Sequence, residues 1–114
     1  MVEYVPHISV QDGDDLVVSF ALGEHSGNYL TLMRTPKYES LSPEEERGVC
    51  VSPREDCSQP PEMLRSLQWG VGTLVLRSNR YEYRLDLGAV DAREIAEARA
   101  LLQKMNFDGK FRWS

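Results

Sequence analysis

The spacing of apolar positions changes several times along the chain, and each change marks an element. Leu74 and Leu76 alternate with Thr73, Val75 and Arg77, and Tyr81, Tyr83, Leu85 and Leu87 alternate with Glu82, Arg84 and Asp86. A period of two predicts half-buried strands, here paired as a hairpin. Asn79 stands where the chain must reverse and tolerates positive φ, so a tight turn is expected at Asn79-Arg80. After Leu87 the period lengthens: Ile95, Ala98, Leu101, Leu102 and Met105 form one apolar stripe, with Arg93, Glu97, Arg99 and Lys104 outside it. Asp91 is a good N-cap, Glu94 is placed to reach back to the cap's own N–H, and Val90 and Ile95 occupy the positions of a hydrophobic staple. A lone helix of this length is marginal in water, so it needs the sheet, and the sheet needs a cover for its apolar face.

The preceding chain is organised by punctuation. Tyr4 to Val10 is a short strand candidate in which Pro6 suggests an edge position or a start at His7. Gln11-Asp12-Gly13-Asp14-Asp15 is a turn, and Leu16 to Leu22 is a nearly continuous apolar run expected at the centre of a sheet and covered on both faces. Gly23 to Asn28 reads as a loop, Tyr29 to Thr35 as a strand ended by Pro36, and Ser42-Pro43-Glu44-Glu45 as a favourable start to a single helical turn closed by Gly48. Gly48 to Ser52 is a short strand and Pro53 to Pro61 a loop. From Glu62 to Trp69 the pattern is ambiguous, because Met63, Leu64 and Leu67 would share a helical face. Gly70 and Gly72 lead into the hairpin, and Phe111 and Trp113 either form a final strand or pack on the sheet. The expected fold is therefore α+β: a mainly antiparallel sheet of about five to six strands with one C-terminal amphipathic helix packed on it, in a single domain spanning residues 1–114.

Composition adds little until charge is mapped along the chain. Apolar content of 41% and charged content of 27% are ordinary for a globular protein. There is no apolar run long enough to span a membrane and no secretory leader pattern at Met1 to Pro6, so no membrane association is expected and the cytoplasm is the expected compartment. Cys50 and Cys57 are expected as free thiols, Cys50 as a small core hydrophobe. Between Glu39 and Glu62, however, seven acids (Glu39, Glu44, Glu45, Glu46, Glu55, Asp56 and Glu62) face only Arg47 and Arg54. The rest of the chain is balanced, so the whole net charge of −5 lies in this one segment. A concentrated basic stretch is missing, which argues against a nucleic-acid-binding role.

Catalytic chemistry finds few parts. His7 and His25 are the only imidazoles, and no Cys-x-x-Cys, His-Glu-x-x-His or EF-hand spacing occurs, so neither a metal site nor a cofactor is expected. Gly70-Val71-Gly72 lacks the third glycine and the following helix of a phosphate cradle. Glu44-Glu45-Glu46 could serve as a general acid/base pair, a metal site or a partner surface. Adjacent carboxylates on one turn diverge, which leaves a solvated face or protein recognition. Trp69 is either a core anchor or an interface aromatic.

The order of these features resembles the Imm10-like family of small bacterial immunity proteins. The resemblance is carried by Leu30-Thr31-Leu32-Met33-Arg34, by Glu44-Glu45-Glu46-Arg47-Gly48, by Val49-Cys50-Val51, by the run from Leu74 to Leu85 and by the closing helix, and it covers about Leu16 to Met105. It implies a non-enzymatic protein that binds and neutralises a cognate toxin domain. Nucleases with basic clefts are one class of such toxins, and an acidic segment could steer onto them. On that reading the partner-binding residues are Glu39, Glu44, Glu45, Glu46, Glu55, Asp56 and Trp69. The alternative is a small ligand-binding or regulatory β-rich domain with a concave pocket between sheet and helix. Exposed strands at the ends of the sheet also permit a homodimer by edge pairing.

Overall fold

The computed structural model describes residues 2–23, 28–41, 47–52 and 62–114. The fold is α+β, with its strands divided between two mostly antiparallel sheets and one helix packed on them. The four-stranded sheet has the order β2 (Ile8–Asp12), β3 (Leu16–Leu22), β4 (Asn28–Arg34), β5 (Cys50–Ser52). The five-stranded sheet runs β1 (Val2–Tyr4), β8 (Glu82–Asp86), β7 (Thr73–Ser78), β6 (Leu64–Gly70), β9 (Arg112–Trp113), and its two outer pairs, β1 with β8 and β9 with β6, are parallel.

Pro6 explains why the first expected strand is two. Lacking an N–H, it interrupts the ladder, and the chain leaves one sheet for the other there: Val5 N still donates to Asp86 O at 3.1 Å, while His7 O already accepts from Ala21 N at 3.1 Å. A second corner joins the sheets where Val51 N donates to Glu62 O at 2.7 Å and Leu64 N to Val49 O at 2.9 Å. One core cluster fills the space between: Phe20, Leu30 and Leu32 from one sheet, Leu67, Leu74, Leu76 and Leu85 from the other, and Ala98, Leu101, Leu102 and Met105 from the helix.

β3 is central, as the apolar run predicts, but only one of its faces is fully covered. Leu16, Val18 and Phe20 are buried, whereas Val17 and Ser19 are half-buried on a face where Ser19 Oγ meets Thr31 Oγ1 at 3.4 Å. The ambiguous stretch after Glu62 is strand β6, and its helix-like spacing has a local cause. The pairing with β7 shifts between Leu64 and Ser66, so the extra residue places Leu64 and Leu67 on the same face three positions apart. A two-residue connection follows, in which Gly72 takes φ 68°, a left-handed value that glycine adopts without strain.

The hairpin and helix match the expected periods except at Tyr81, which precedes β8 and is exposed where the alternation places it on the inward face with Tyr83 and Leu85, and two polar residues have other partners than expected. Asn79 does not use positive φ; its side-chain Oδ1 accepts from Met63 N at 2.9 Å and its N–H donates to Met63 O at 3.0 Å, tying the β7–β8 turn to the start of β6. The helix, α1 (Ala92–Met105), is capped as predicted by Asp91, whose Oδ1 accepts from Arg93 N at 2.8 Å. Glu94 does not close a capping box. Its Oε1 accepts from Ile8 N at 2.8 Å, satisfying a donor of edge strand β2 and pinning the helix to that sheet. No helix of the described residues is long and apolar enough to cross a membrane.

Candidate functional site

Three polar constellations stand out among the described residues, two buried and one exposed. The first is centred on Arg34, the last residue of β4, whose strand register turns it inward beside Leu16. An arginine 2% exposed must be compensated. It is: Nε donates to Glu39 Oε2 at 2.7 Å and Nη2 to Glu39 Oε1 at 2.9 Å, while Nη1 and Nη2 donate to Asp108 Oδ1 and Oδ2, each at 2.8 Å. Nη1 also donates to the Met105 carbonyl at 2.7 Å, and the Phe107 ring lies 4.2 Å from the guanidinium carbon. All five N–H donors of the guanidinium are thereby used. The cation sits on the C-terminal end of α1, where the helix dipole favours positive charge. Burial works against that charge, but hydrogen bonds and attraction from Asp108 and Glu39 more than offset it and raise the Arg34 pKa above its ordinary value.

The partner carboxylate responds in the opposite sense. The hydrogen bonds from Arg34 hold Asp108 below its ordinary value of 3.8, against a smaller desolvation cost. A depressed carboxylate contributes stability above its unfolded pKa and loses it as pH falls through the folded value. The stability difference between the wild type and Asp108→Asn is therefore expected to be largest near neutral pH and to shrink as pH falls below 3.8 in urea titrations at stepped pH. A pH-independent difference would refute the assignment.

The second constellation gathers on Glu62, which is 2% exposed. Its Oε2 accepts from Ser78 Oγ at 2.5 Å and from Tyr83 OH at 2.8 Å. Ser78 Oγ in turn accepts from Arg80 N at 3.1 Å and Tyr81 N at 2.9 Å, which builds the turn between β7 and β8. Burial first, and then the adjacent Glu62, push the Tyr83 phenol above its ordinary value of 10.0.

These two clusters relocate part of the segment that the sequence marks as acidic. Glu39, in the 3₁₀ turn Pro36–Leu41, is an inward-facing ligand of Arg34, and Gly48 N also approaches its Oε2 at 3.4 Å. Glu62 is likewise internal. Glu44, Glu45, Glu46, Glu55 and Asp56 lie outside the described residues, as do Cys57, His25 and the helical start expected at Ser42-Pro43. Trp69 is half-buried against the core, 5.7 Å from Trp113 with Arg99 5.0 Å above its ring. That is the environment of a core anchor. Its Nε1 is buried without a hydrogen-bond partner among the described residues.

The third constellation was invisible in the sequence. On the five-stranded sheet, Arg112, Ser66, Arg77 and Glu82 stand side by side on the outward face of β9, β6, β7 and β8. Two residues further along, Gln68, Val75 and Arg84 form the next row. Glu82 bridges Arg77 at 2.7 Å and Arg84 at 3.0 Å, and these two arginines hold its carboxyl below the usual range. Arg65, at the bulge, completes a groove of about 450 Å³ with Arg77, Arg112, Ser66, Gln68 and Ser114. The alternation of strand residues scatters these arginines over nearly fifty positions, so no linear charge map groups them.

Among the described residues, no three His, Cys, Asp or Glu side chains converge in a way that could hold a metal ion. No family model, no curated protein and no solved structure matches the chain.

Proposed function

We propose that this protein is a binding protein of the bacterial immunity type, one that neutralises a toxin domain by surface complementarity and performs no catalysis of its own. The observation that carries this reading is how the acidic segment is mounted. Glu39 near its start is fixed by Arg34, Glu62 at its end by Ser78 and Tyr83, and Val51 between them is paired with Leu32 of β4. Anchored residues on either side of a recognition surface reduce the freedom that is lost when it binds. Its remaining acids, Glu44, Glu45, Glu46, Glu55 and Asp56, supply the charge that would steer it onto a basic cleft such as that of a nuclease. The resemblance carried by the strand ending in Arg34, the acidic triplet and the closing helix points to the same class.

The experiment is a search of the neighbouring reading frames for one that ends in a variable toxin-type domain, co-purification with that domain, and stopped-flow association at several salt concentrations. Reversing Glu44, Glu45 and Glu46 together to Lys is expected to slow association by about tenfold or more at low salt and to flatten its salt dependence. Unchanged association at low salt would remove the acidic triplet from the interface.

A further inference from the structure

We infer that the groove on the outward face of the five-stranded sheet is an oxyanion site that takes a phosphoryl group. This inference does not depend on the toxin reading and rests on a different surface. Arg112 and Arg77 flank Ser66 in register, two strands apart, a separation of about 9–10 Å at the usual strand spacing. Ser66 is the short side chain between two long ones, and this makes a trough whose walls are guanidinium groups and whose floor offers a hydroxyl. Arg65 adds a third cation at the bulge and Gln68 an amide.

The donors are available. Arg65 and Arg112 are exposed and have no ion-pair partner among the described residues. Arg77 is paired with Glu82 through Nε alone, which fixes the side chain while its terminal Nη groups make no hydrogen bond among the described residues. Planar guanidinium forks suit the tetrahedral, multiply charged phosphoryl group, and a volume of about 450 Å³ falls in the range of small-molecule sites. Nothing in folding calls for this arrangement: three cations within roughly one Debye length repel one another. The outward face of the four-stranded sheet carries only uncharged residues at the corresponding positions, Ser9, Gln11, Val17, Ser19, Thr31 and Met33.

The extent of the charge favours a compact anion over a nucleic-acid strand. Beyond the groove the same face carries Glu82 and Asp86 against Arg84, with Val2 and Tyr4 at its far edge, so the positive field ends within a few strands. A phosphoryl group could be presented by a small phosphate ester or by a phosphorylated side chain of a partner.

The test follows thermal unfolding of the full chain with increasing inorganic phosphate, against sodium chloride of equal ionic strength. Phosphate stabilises folded proteins generally by exclusion, so the decisive quantity is the difference between the wild type and Arg65→Ala/Arg112→Ala. Both residues are exposed, and the double variant is expected to fold. The wild type should gain more from phosphate than the double variant, with apparent affinity at least about tenfold higher, while Arg84→Ala, outside the groove, should behave as the wild type. A phosphoserine peptide binding tighter than inorganic phosphate would assign the group to a protein partner, and equal binding would assign it to a small ester. Identical phosphate responses in wild type and double variant would overturn the proposal. So would an oligonucleotide that binds more tightly and loses as much on Arg84→Ala as on Arg112→Ala, because the whole face would then be the site.

Discussion

Arg34→Ala is expected to cost about 3–5 kcal/mol of folding free energy, enough to bring a domain of ordinary stability close to unfolding at room temperature. The substitution removes five charge-assisted hydrogen bonds, leaves Glu39 and Asp108 facing each other without their common cation, and opens the end of α1. Both carboxylates retain some contact with water, with side chains 17% and 32% exposed, which keeps the loss within that range and not above it. Arg34→Lys should recover only part of it, because one ammonium cannot reproduce two parallel pairs of donors. Urea unfolding monitored by tryptophan fluorescence measures both variants. A loss under about 1 kcal/mol for Arg34→Ala would mean that the clasp contributes no more than a surface ion pair.

Glu62→Ala is the second large effect expected. It strips the acceptor from the Tyr83 hydroxyl, at a cost of about 1–3 kcal/mol for the donor left unpaired, while the Ser78 hydroxyl, which loses the same acceptor, can turn to the Tyr81 carbonyl at 3.3 Å. The double variant Glu62→Ala/Tyr83→Phe should be less destabilised than the sum of the two single variants, since the second change removes a donor that the first has orphaned. Simple additivity would show that Tyr83 and Glu62 do not depend on each other. Tyr83 gives the cluster a signature in pH. Its raised folded pKa contributes stability below the ordinary value of 10.0 and loses it as pH climbs beyond that, so the wild type should weaken in alkali more than Tyr83→Phe.

Most of the scaffold could be read from side-chain spacing because burial imposes it. Leu74 and Leu76, Tyr83 and Leu85, and the stripe from Ala98 to Met105 occupy the faces their periods predict. What escaped was long-range. The two-sheet division depends on corners at Pro6 and Met63, where backbone groups from distant residues meet, and a bulge at Arg65 gave a strand the spacing of a helix. Polar residues were the least legible, because their local rules have distant competitors. Glu94 satisfied the sequence rule for a capping box, yet Ile8 N, 86 residues away, takes its carboxylate. Glu39 and Glu62 counted as surface charge in a linear map and proved to be internal ligands. Arg34 ended an apolar strand without any sign that it would be buried, and the arginine face required the registers of four strands to be known.

The arrangement of strands also sets an order of assembly. The four-stranded sheet is made of consecutive antiparallel neighbours within residues 8–52, so each pairing closes a modest loop. The five-stranded sheet instead pairs Val2 with Arg84 and completes its other edge with Arg112 and Trp113. Closing so long a loop costs entropy that only later contacts return, so the parallel edge of β1 belongs to the slow end of folding. During synthesis, residues 2–4 must wait for β8 to leave the ribosome, so the first strand made is left without its partner until about eighty further residues have followed it.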